Sequence, residues 1–512
     1  MRSSRGGSIV AVVATLVGIL STALVASAAD GDADNGWGTG GIAVATPING
    51  GSGITYSTAR SFRIGPDGKV TAVGVWYGDP ALTGGSARMV VARFLPNGQL
   101  DTTCDGDGVW MDPVTNIFSI ANDLEILSDG SFVVVGSQLA SNGVFPDIVT
   151  RRFDSQCNPD ATYGTGGKVV HSIGVGSEPA AITLQSDGKI VIAGWEFFNV
   201  ADNDDTRLLA FRIDTNGQID PSFSPSGSGF YRDPDRPSQA RAIVHTSDGG
   251  FRIAGFTRPG VNDLGLVVAL DTNGSLVPSF GSNGRRIIAQ ADDLVYNGID
   301  QRGDGRLVVA GRLTTSGSDR LVIQCLLADG SSDTACGASG VRTHSDLGSM
   351  EGSDIRATGD ERLVVVGRFA DSLTPNSGGF VGRFSADGSV DTSFASTGYH
   401  LGTVGGRLFR VRLQSDGKIV GSGEFNPAGN LEFTVIRLDN TVITTPTTPT
   451  STTSPTAPAD TAPPTSPTTL LPTSTIAIEQ LPATGRDQSD LVALALMVAG
   501  ALLVVSTRRR VV

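Results

Sequence analysis

The sequence predicts an all-β fold, a seven-bladed β-propeller of four-stranded antiparallel blades, and three observations lead there. The apolar runs are short, four to six Val, Ile or Leu residues bounded by Gly, Asp, Asn or Ser, which is the pattern of strands and not of helices. One hairpin signal recurs seven times. Its clearest copy is AITLQSDGKIVIAG at Ala181–Gly194, where two apolar runs flank Asp187-Gly188; a tight hairpin turn needs positive φ, which Gly adopts without strain. Each period also holds four candidate strands, near Lys168–Ile173, Ala180–Gln185, Lys189–Phe197 and Thr206–Ile213 in the third copy. An array of four-stranded units closes into a propeller.

The repeats occupy residues 30–440. The hairpin Asp recurs at near-even spacing, at Asp67, Asp129, Asp187, Asp248, Asp304, Asp360 and Asp416. Gly follows it in six copies, but Glu361 follows Asp360, so that turn is expected to differ. The strand after each hairpin ends in Gly: Gly74, Gly136, Gly194, Gly255, Gly311, Gly367 and Gly423. Further along each unit comes a second element, VARFLPNGQLDTTC from Val91, LAFRIDTNGQIDPSF from Leu209 and VGRFSADGSVDTSF from Val381.

Within this element an aromatic or Cys stands at Trp37, Cys104, Tyr163, Phe223, Phe280, Cys336 and Phe394, with Gly four positions later. Asp lies three positions earlier in six of the seven, Val277 being the exception. The Asp is expected to close an Asx-type turn and the aromatic to pack between neighbouring units. Arg often precedes the aromatic at one constant spacing, as in Arg152 and Tyr163, Arg212 and Phe223, Arg383 and Phe394. This recurrence predicts an Arg–aromatic contact. In the fifth repeat both members are Cys, which predicts a Cys325–Cys336 disulfide. The remaining pair, Cys104 and Cys157, is expected to bridge adjacent blades, Cys157 standing where other units have the hairpin Gly. The last repeat stops at Asn440, before its turn; the missing piece, DNGWGTGGIAV, lies at Asp34–Val44. An open array would need polar caps, so the N-terminal segment is expected to complete the seventh unit and close the ring.

The pattern LQSDGKIVIAG followed by RxDxNGxxDxSFGxxG resembles the delta-60 repeat family of large bacterial surface and secreted proteins. The resemblance covers roughly Asp34 to Asn440. It implies a propeller-like repeat protein and carries over no catalytic residues.

The flanking segments bear on location. Residues 1–28 read as a signal peptide: Arg2 and Arg5, an apolar run from Ile9 to Val25, and a small-residue site Ala26-Ser27-Ala28, with cleavage after Ala28. Residues 441–480 form a linker. Thr and Pro dominate it from Thr444 to Thr475, so the segment builds no core and serves as a semi-rigid, wall-spanning stalk. Residues 481–512 hold Leu481-Pro482-Ala483-Thr484-Gly485, an apolar run at 491–505 and Arg508-Arg509-Arg510. That order resembles the sortase sorting signal of Gram-positive bacteria. The resemblance implies transient membrane retention through 491–505, with the Arg tail on the cytoplasmic side. It further implies sortase as a partner, cleavage between Thr484 and Gly485, and covalent linkage of Thr484 to peptidoglycan.

The formal net charge is −13, which argues against nucleic acid as a partner. HExxH, CxxC, GxSxG and Walker patterns are all missing from the sequence. There are four His. His171 and His344 occupy matching strand positions in repeats three and six, which leaves two readings, channel-lining groups or ordinary strand residues. Asp30, Asp32 and Asp34 resemble the start of a calcium loop, but Asn35 stands where such a loop needs Gly; calcium is the one ion the sequence raises, and no other cofactor is expected. Loops Gly78–Ala87, Gln138–Asp147, Phe198–Thr206 and Ala370–Gly378 vary in length, are expected to link third and fourth strands, and form the candidate contact surface. The reading is a monomeric, exported, wall-anchored surface protein whose propeller binds or adheres to an extracellular glycan or protein. The alternatives are an extracytoplasmic enzyme, such as a carbohydrate-active one, working in the propeller funnel, and a structural wall protein without a ligand.

Overall fold

The computed structural model describes residues 29–45, 56–77, 87–113, 118–139, 145–199, 202–289, 291–370, 377–402, 406–425 and 431–440. Residues 1–28, 441–480 and 481–512, read above as signal peptide, linker and sorting signal, lie outside the described residues, Ala28 and Leu481–Gly485 among them. Among the described residues, twenty-eight strands form seven four-stranded antiparallel sheets. Blade 1 is β2 (Tyr56–Ile64), β3 (Val70–Tyr77), β4 (Ala87–Phe94) and β5 (Val109–Met111), from the axis outward. Blade 2 is β6 (Ser119–Ile126), β7 (Phe132–Leu139), β8 (Pro146–Phe153) and β9 (Lys168–His171). Blade 3 is β10 (Ser177–Leu184), β11 (Ile190–Asn199), β12 (Asp202–Ile213) and β13 (Phe230–Arg232). Blades 4 to 6 repeat this order from β14 (Ser238–His245) through β18 (Asp293–Gln301) and β22 (Ser349–Ala357) to β25 (Tyr399–Leu401).

Blade 7 takes three strands from the C-terminal end, β26 (Gly406–Leu413), β27 (Ile419–Phe425) and β28 (Glu432–Leu438). Its outer strand is β1 (Ile42–Ala45), which pairs with β28 from Ile42 against Ile436 to Ala45 against Phe433. The N-terminal segment therefore completes the seventh unit and closes the ring.

The second strand of each blade has neighbouring blades on both sides. It accordingly reads as a continuous apolar run, as in Phe132–Gly136 and Leu363–Gly367, all buried. The Gly that ends each run has a steric cause. Every inner strand carries a bulge, and the bulge lays a carbonyl against that Gly: Thr58 O on Gly74, Ile120 O on Gly136, Glu178 O on Gly194. A Cβ there would collide with the oxygen. The bulge residues are Arg60, Asn122, Ala180, Arg241, Asn297, Ser353 and Phe409, each at the same spacing ahead of its Gly.

Two expectations change. The strand after the Gly turn is not the first of its own unit but the outermost of the preceding blade, because that turn hairpins it back onto the Arg-bearing strand. The variable loops thus join second and third strands, not third and fourth. The turn at Glu361 does not differ either: Glu361 takes the left-handed φ of +68° itself, and its N–H closes the same turn on Thr358 O at 3.0 Å. Its carboxylate lies 3.5 and 3.6 Å from Arg302 and Arg306 of the previous blade, contacts that offset the strain of a side chain at positive φ.

Candidate functional site

The third-to-fourth-strand turns staple each blade to the next, and this absorbs most of the recurrent residues. The turn Asp accepts a backbone N–H two positions on, as Asp220 does from Ser222 at 3.0 Å, and its other oxygen takes Arg212 Nε at 3.0 Å. Arg212 then reaches Thr272 O of blade 4 at 2.8 Å and lies over Phe223 at 5.2 Å. Arg383 repeats this with Asp391 at 2.7 Å and Phe394 at 4.9 Å, and Arg437 with Asp34 and Trp37. Arg93 pairs with Asp101 and reaches Ser155 O. The expected Arg152–Tyr163 contact is not formed; Tyr163 Oη donates to Thr150 at 3.0 Å, and Arg152 lies 3.5 Å from Asp160. The Asp carboxylate, unassigned as an Arg partner in the sequence reading, is the common element.

The aromatic ring packs on the turn Gly of the following blade, Trp37 on Gly98, Phe223 on Gly274 and Phe280 on Gly330. Between blades 1 and 2 the same two positions are Cys104 and Cys157, joined as a disulfide. Cys325 and Cys336 are also bonded, in the Arg and aromatic positions of blade 5. Arg302 there takes over the reach to the next blade, donating to Ala386 O at 2.5 Å.

The acidic N-terminus belongs to the same stapling. Asp30 binds Arg383 at 2.6 Å, and Asp34 binds Arg437 at 2.7 Å and Lys418 at 2.9 Å. These carboxylates close the ring, and the calcium-loop reading loses two of its three ligands to chain cations. Among the described residues no cluster of three His, Cys, Asp or Glu could hold a metal. His171 and His344 lie on the outermost strands of blades 2 and 5, so neither lines the channel. His171 bonds Thr150 Oγ1 at 3.1 Å, and His344 bonds Gly388 O of the next blade at 3.0 Å.

What remains is the face carrying the second-to-third-strand loops and the channel that opens between them. Most loop residues lie outside the described set, but their flanks share one side of the disc. Phe198 sits between Arg207 at 4.4 Å and Arg236 at 4.5 Å, and Asp205 pairs with Arg236. A cleft of about 340 Å³ between blades 5, 6 and 7 is lined by Asp319, Glu351, Arg368 and Phe369. Glu351 accepts from Asn297 at 3.0 Å and pairs with Arg368 at 2.8 Å and Arg407 at 3.0 Å. Burial would raise its pKa, but Arg407, Arg368 and Arg312 outweigh that and hold it at about 2.

Deeper in the channel an ion-pair plug spans the axis. Asp123 accepts Ser61 Oγ at 2.6 Å, Arg63 at 3.0 Å and the Ile182 N–H of the next blade at 3.0 Å. Burial opposes its ionisation, but Arg63, Arg410 and Arg412 bring its pKa down to about 2. Asp354 takes Arg356 and Arg412, each at 3.0 Å, and Val411 N–H at 3.1 Å. Arg410 of blade 7 reaches across to Ala180 O of blade 3 at 3.4 Å. The plug neutralises these carboxylates and closes the channel below the bulges, so among the described residues no free acid–base pair is assembled there.

A family model agrees with this architecture. The model, described as "Domain of unknown function (DUF5122) beta-propeller", matches residues 65–103, 185–223, 302–335, 358–394 and 414–441. The chain is a β-propeller repeat protein. The unmatched units are blades 2 and 4, which carry Cys157 and the Ala269–Val277 replacements. No curated protein matches the chain. Similar solved structures include the β-propeller domain of the Trilobed protease from Pyrococcus furiosus, with 11% identity, a TM-score of 0.41 and coverage of 76% of this chain and 94% of that one. Polysaccharide lyase Uly1 shows 9% identity, a TM-score of 0.42 and coverage of 74% and 89%. Sqt1 from Chaetomium thermophilum shows 11% identity, a TM-score of 0.40 and coverage of 75% and 97%. Two disulfides point to an oxidising, extracellular environment. Among the described residues no helix is long and apolar enough to cross a membrane.

Proposed function

We propose that this protein is exported, attached covalently to a Gram-positive cell wall through Thr484, and displays its propeller as a binding or adhesion module. The observation that carries the reading is the order of Leu481–Gly485, the apolar run at 491–505 and Arg508–Arg510 at the end of a Thr/Pro stalk. Such a segment retains an exported chain at the membrane until a transpeptidase reaches the pentapeptide. The disulfides support an exported location. The division of the disc supports the binding reading: one face is occupied by staples that hold blades together, and the plug carboxylates Asp123 and Asp354 are neutralised by Arg, leaving the loop face to contact a partner. Thr484→Ala tests the anchor. The variant is expected in the medium or the membrane fraction; recovery of T484A attached to wall peptides after lysozyme-type digestion refutes it.

A further inference from the structure

The channel mouth above the plug contrasts with the rest of the axis, because one arc of it carries two guanidinia with no hydrogen-bonded carboxylate among the described residues. Arg60 on β2, Asn122 on β6 and Arg241 on β14 are bulge residues, and Glu178 on β10 lies two positions nearer the loop face than its own bulge. The four come from consecutive blades, 1 to 4. Neither Arg60 nor Arg241 makes a hydrogen bond or close ion pair among the described residues, and Asn122 Oδ1 and Arg241 Nε are buried without partners. The groups converge: burial raises the Glu178 carboxyl to about 7, and the Arg60 and Arg241 charges both act on it. Arg241 is held in place by Trp195 at 5.4 Å and Phe256 at 5.5 Å. On the opposite arc, Glu351 is bonded to Arg368, Arg407 and Asn297, and it and Asp263 act on Arg241 only through space.

The unmet groups define a complement. Two guanidinia require one anion, and a planar oxyanion fits the guanidinium fork. The Glu178 carboxyl is an acceptor that requires an O–H donor, whereas Asn122 Oδ1 is shielded from solvent and is not offered to a ligand. Arg410, reaching across to Ala180 O at 3.4 Å, lies beneath the arc, so the ligand considered is a terminal group. We propose that this arc binds the carboxylate of an acidic sugar between Arg60 and Arg241, with a sugar hydroxyl donating to Glu178. An acidic sugar carries the anion and several hydroxyl donors on one ring. A neutral sugar leaves both guanidinia unmet, and a peptide C-terminus offers its carboxylate without that set of hydroxyls. The assignment rests on the reading of the loop face as the binding face and specifies the chemistry at its centre.

The test is a titration of the full chain, by calorimetry or ligand-observed NMR, with galacturonate, galactose and a tripeptide with a free C-terminus. Galacturonate is expected to bind saturably, and R60Q and R241Q are each expected to weaken it at least tenfold. The contacts with Trp195 and Phe256 are made by Arg241 and not by Arg60, so R60Q keeps the test open if R241Q fails to fold. Equal binding of galactose or the tripeptide, galacturonate binding unchanged in R60Q, or no galacturonate binding at all overturns the site. If galacturonate fails while another glycan or a protein still binds through the loop face, the acidic-sugar assignment falls and the display reading stands.

Discussion

Arg383→Met probes the stapling logic at the seam where the ring closes. Arg383 is fully buried and donates to Asp391 at 2.7 Å, Asp30 at 2.6 Å, Asn440 Oδ1 at 2.6 Å and Ser393 at 2.9 Å. Methionine fills part of the volume over Phe394 but takes the short Arg contact from Asp391 and Asp30, which keep the longer ones to Arg362 at 3.6 and 3.9 Å. Removing one partner of a buried ion pair costs about 3–5 kcal/mol. A ring of about 400 residues melts with an entropy near 2.1 cal/mol/K per residue, or roughly 0.85 kcal/mol/K, so about 4 kcal/mol lowers Tm by about 5 °C. Calorimetry measures this directly. Adding Asp391→Asn should restore part of the loss, since it removes one of the two charges that lost their short Arg contact. A Tm shift in R383M of less than about 1 °C, or an additive double variant, would refute the claim that these Arg residues hold adjacent blades together through the turn Asp.

Three further outcomes follow from the same geometry. Cys104→Ser removes a bridge spanning 53 residues, at about 4 kcal/mol in the chain-entropy model; Cys104→Phe with Cys157→Gly rebuilds the aromatic-on-glycine contact of other blades and should recover stability above C104S, read by denaturant unfolding. Deleting residues up to Ala45 strips the outer strand from β28 together with Asp30 and Asp34; the truncated ring should lose protection from hydrogen exchange first in blades 6 and 7, and uniform loss around the ring would contradict a seam. Burial depresses the His171 pKa to about 4. The unfolded chain therefore takes up a proton below about 6.5 that the folded one refuses until about 4, so stability is full above about pH 6.5 and falls as pH drops toward 4, by about 3 kcal/mol. His171→Gln should flatten that limb relative to the parent, and a parallel pH profile would remove His171 as its source.

The sequence by itself determined the repeat number, the hairpins, the completion of the seventh unit by Asp34–Val44 and the partners of all four cysteines. These are legible because they depend on local turn chemistry or on the joint replacement of residues at constant spacing: Asp187-Gly188 forms its turn whatever lies around it, and Cys104 and Cys157 stand where an aromatic and a Gly otherwise meet. The frame of the blades was not legible, since a hairpin turn of Gly and Asp reads alike inside a blade and between two. The role of the turn Asp was half visible. Its Asx turn is local, but its Arg comes from another strand. The bulge ring was hidden most deeply, although the strand-end Gly downstream marks every member. A bulge is a mismatch between two strands, and whether Arg60 and Arg241 lack a bonded carboxylate while Arg63 and Arg412 have one depends on which carboxylates the closed ring carries to the axis. Only the closed tertiary structure brings Glu178 of blade 3 under the charge of Arg60 in blade 1, or sends Arg410 of blade 7 to Ala180, because those residues lie far apart in the chain and meet only where seven inner strands surround one axis.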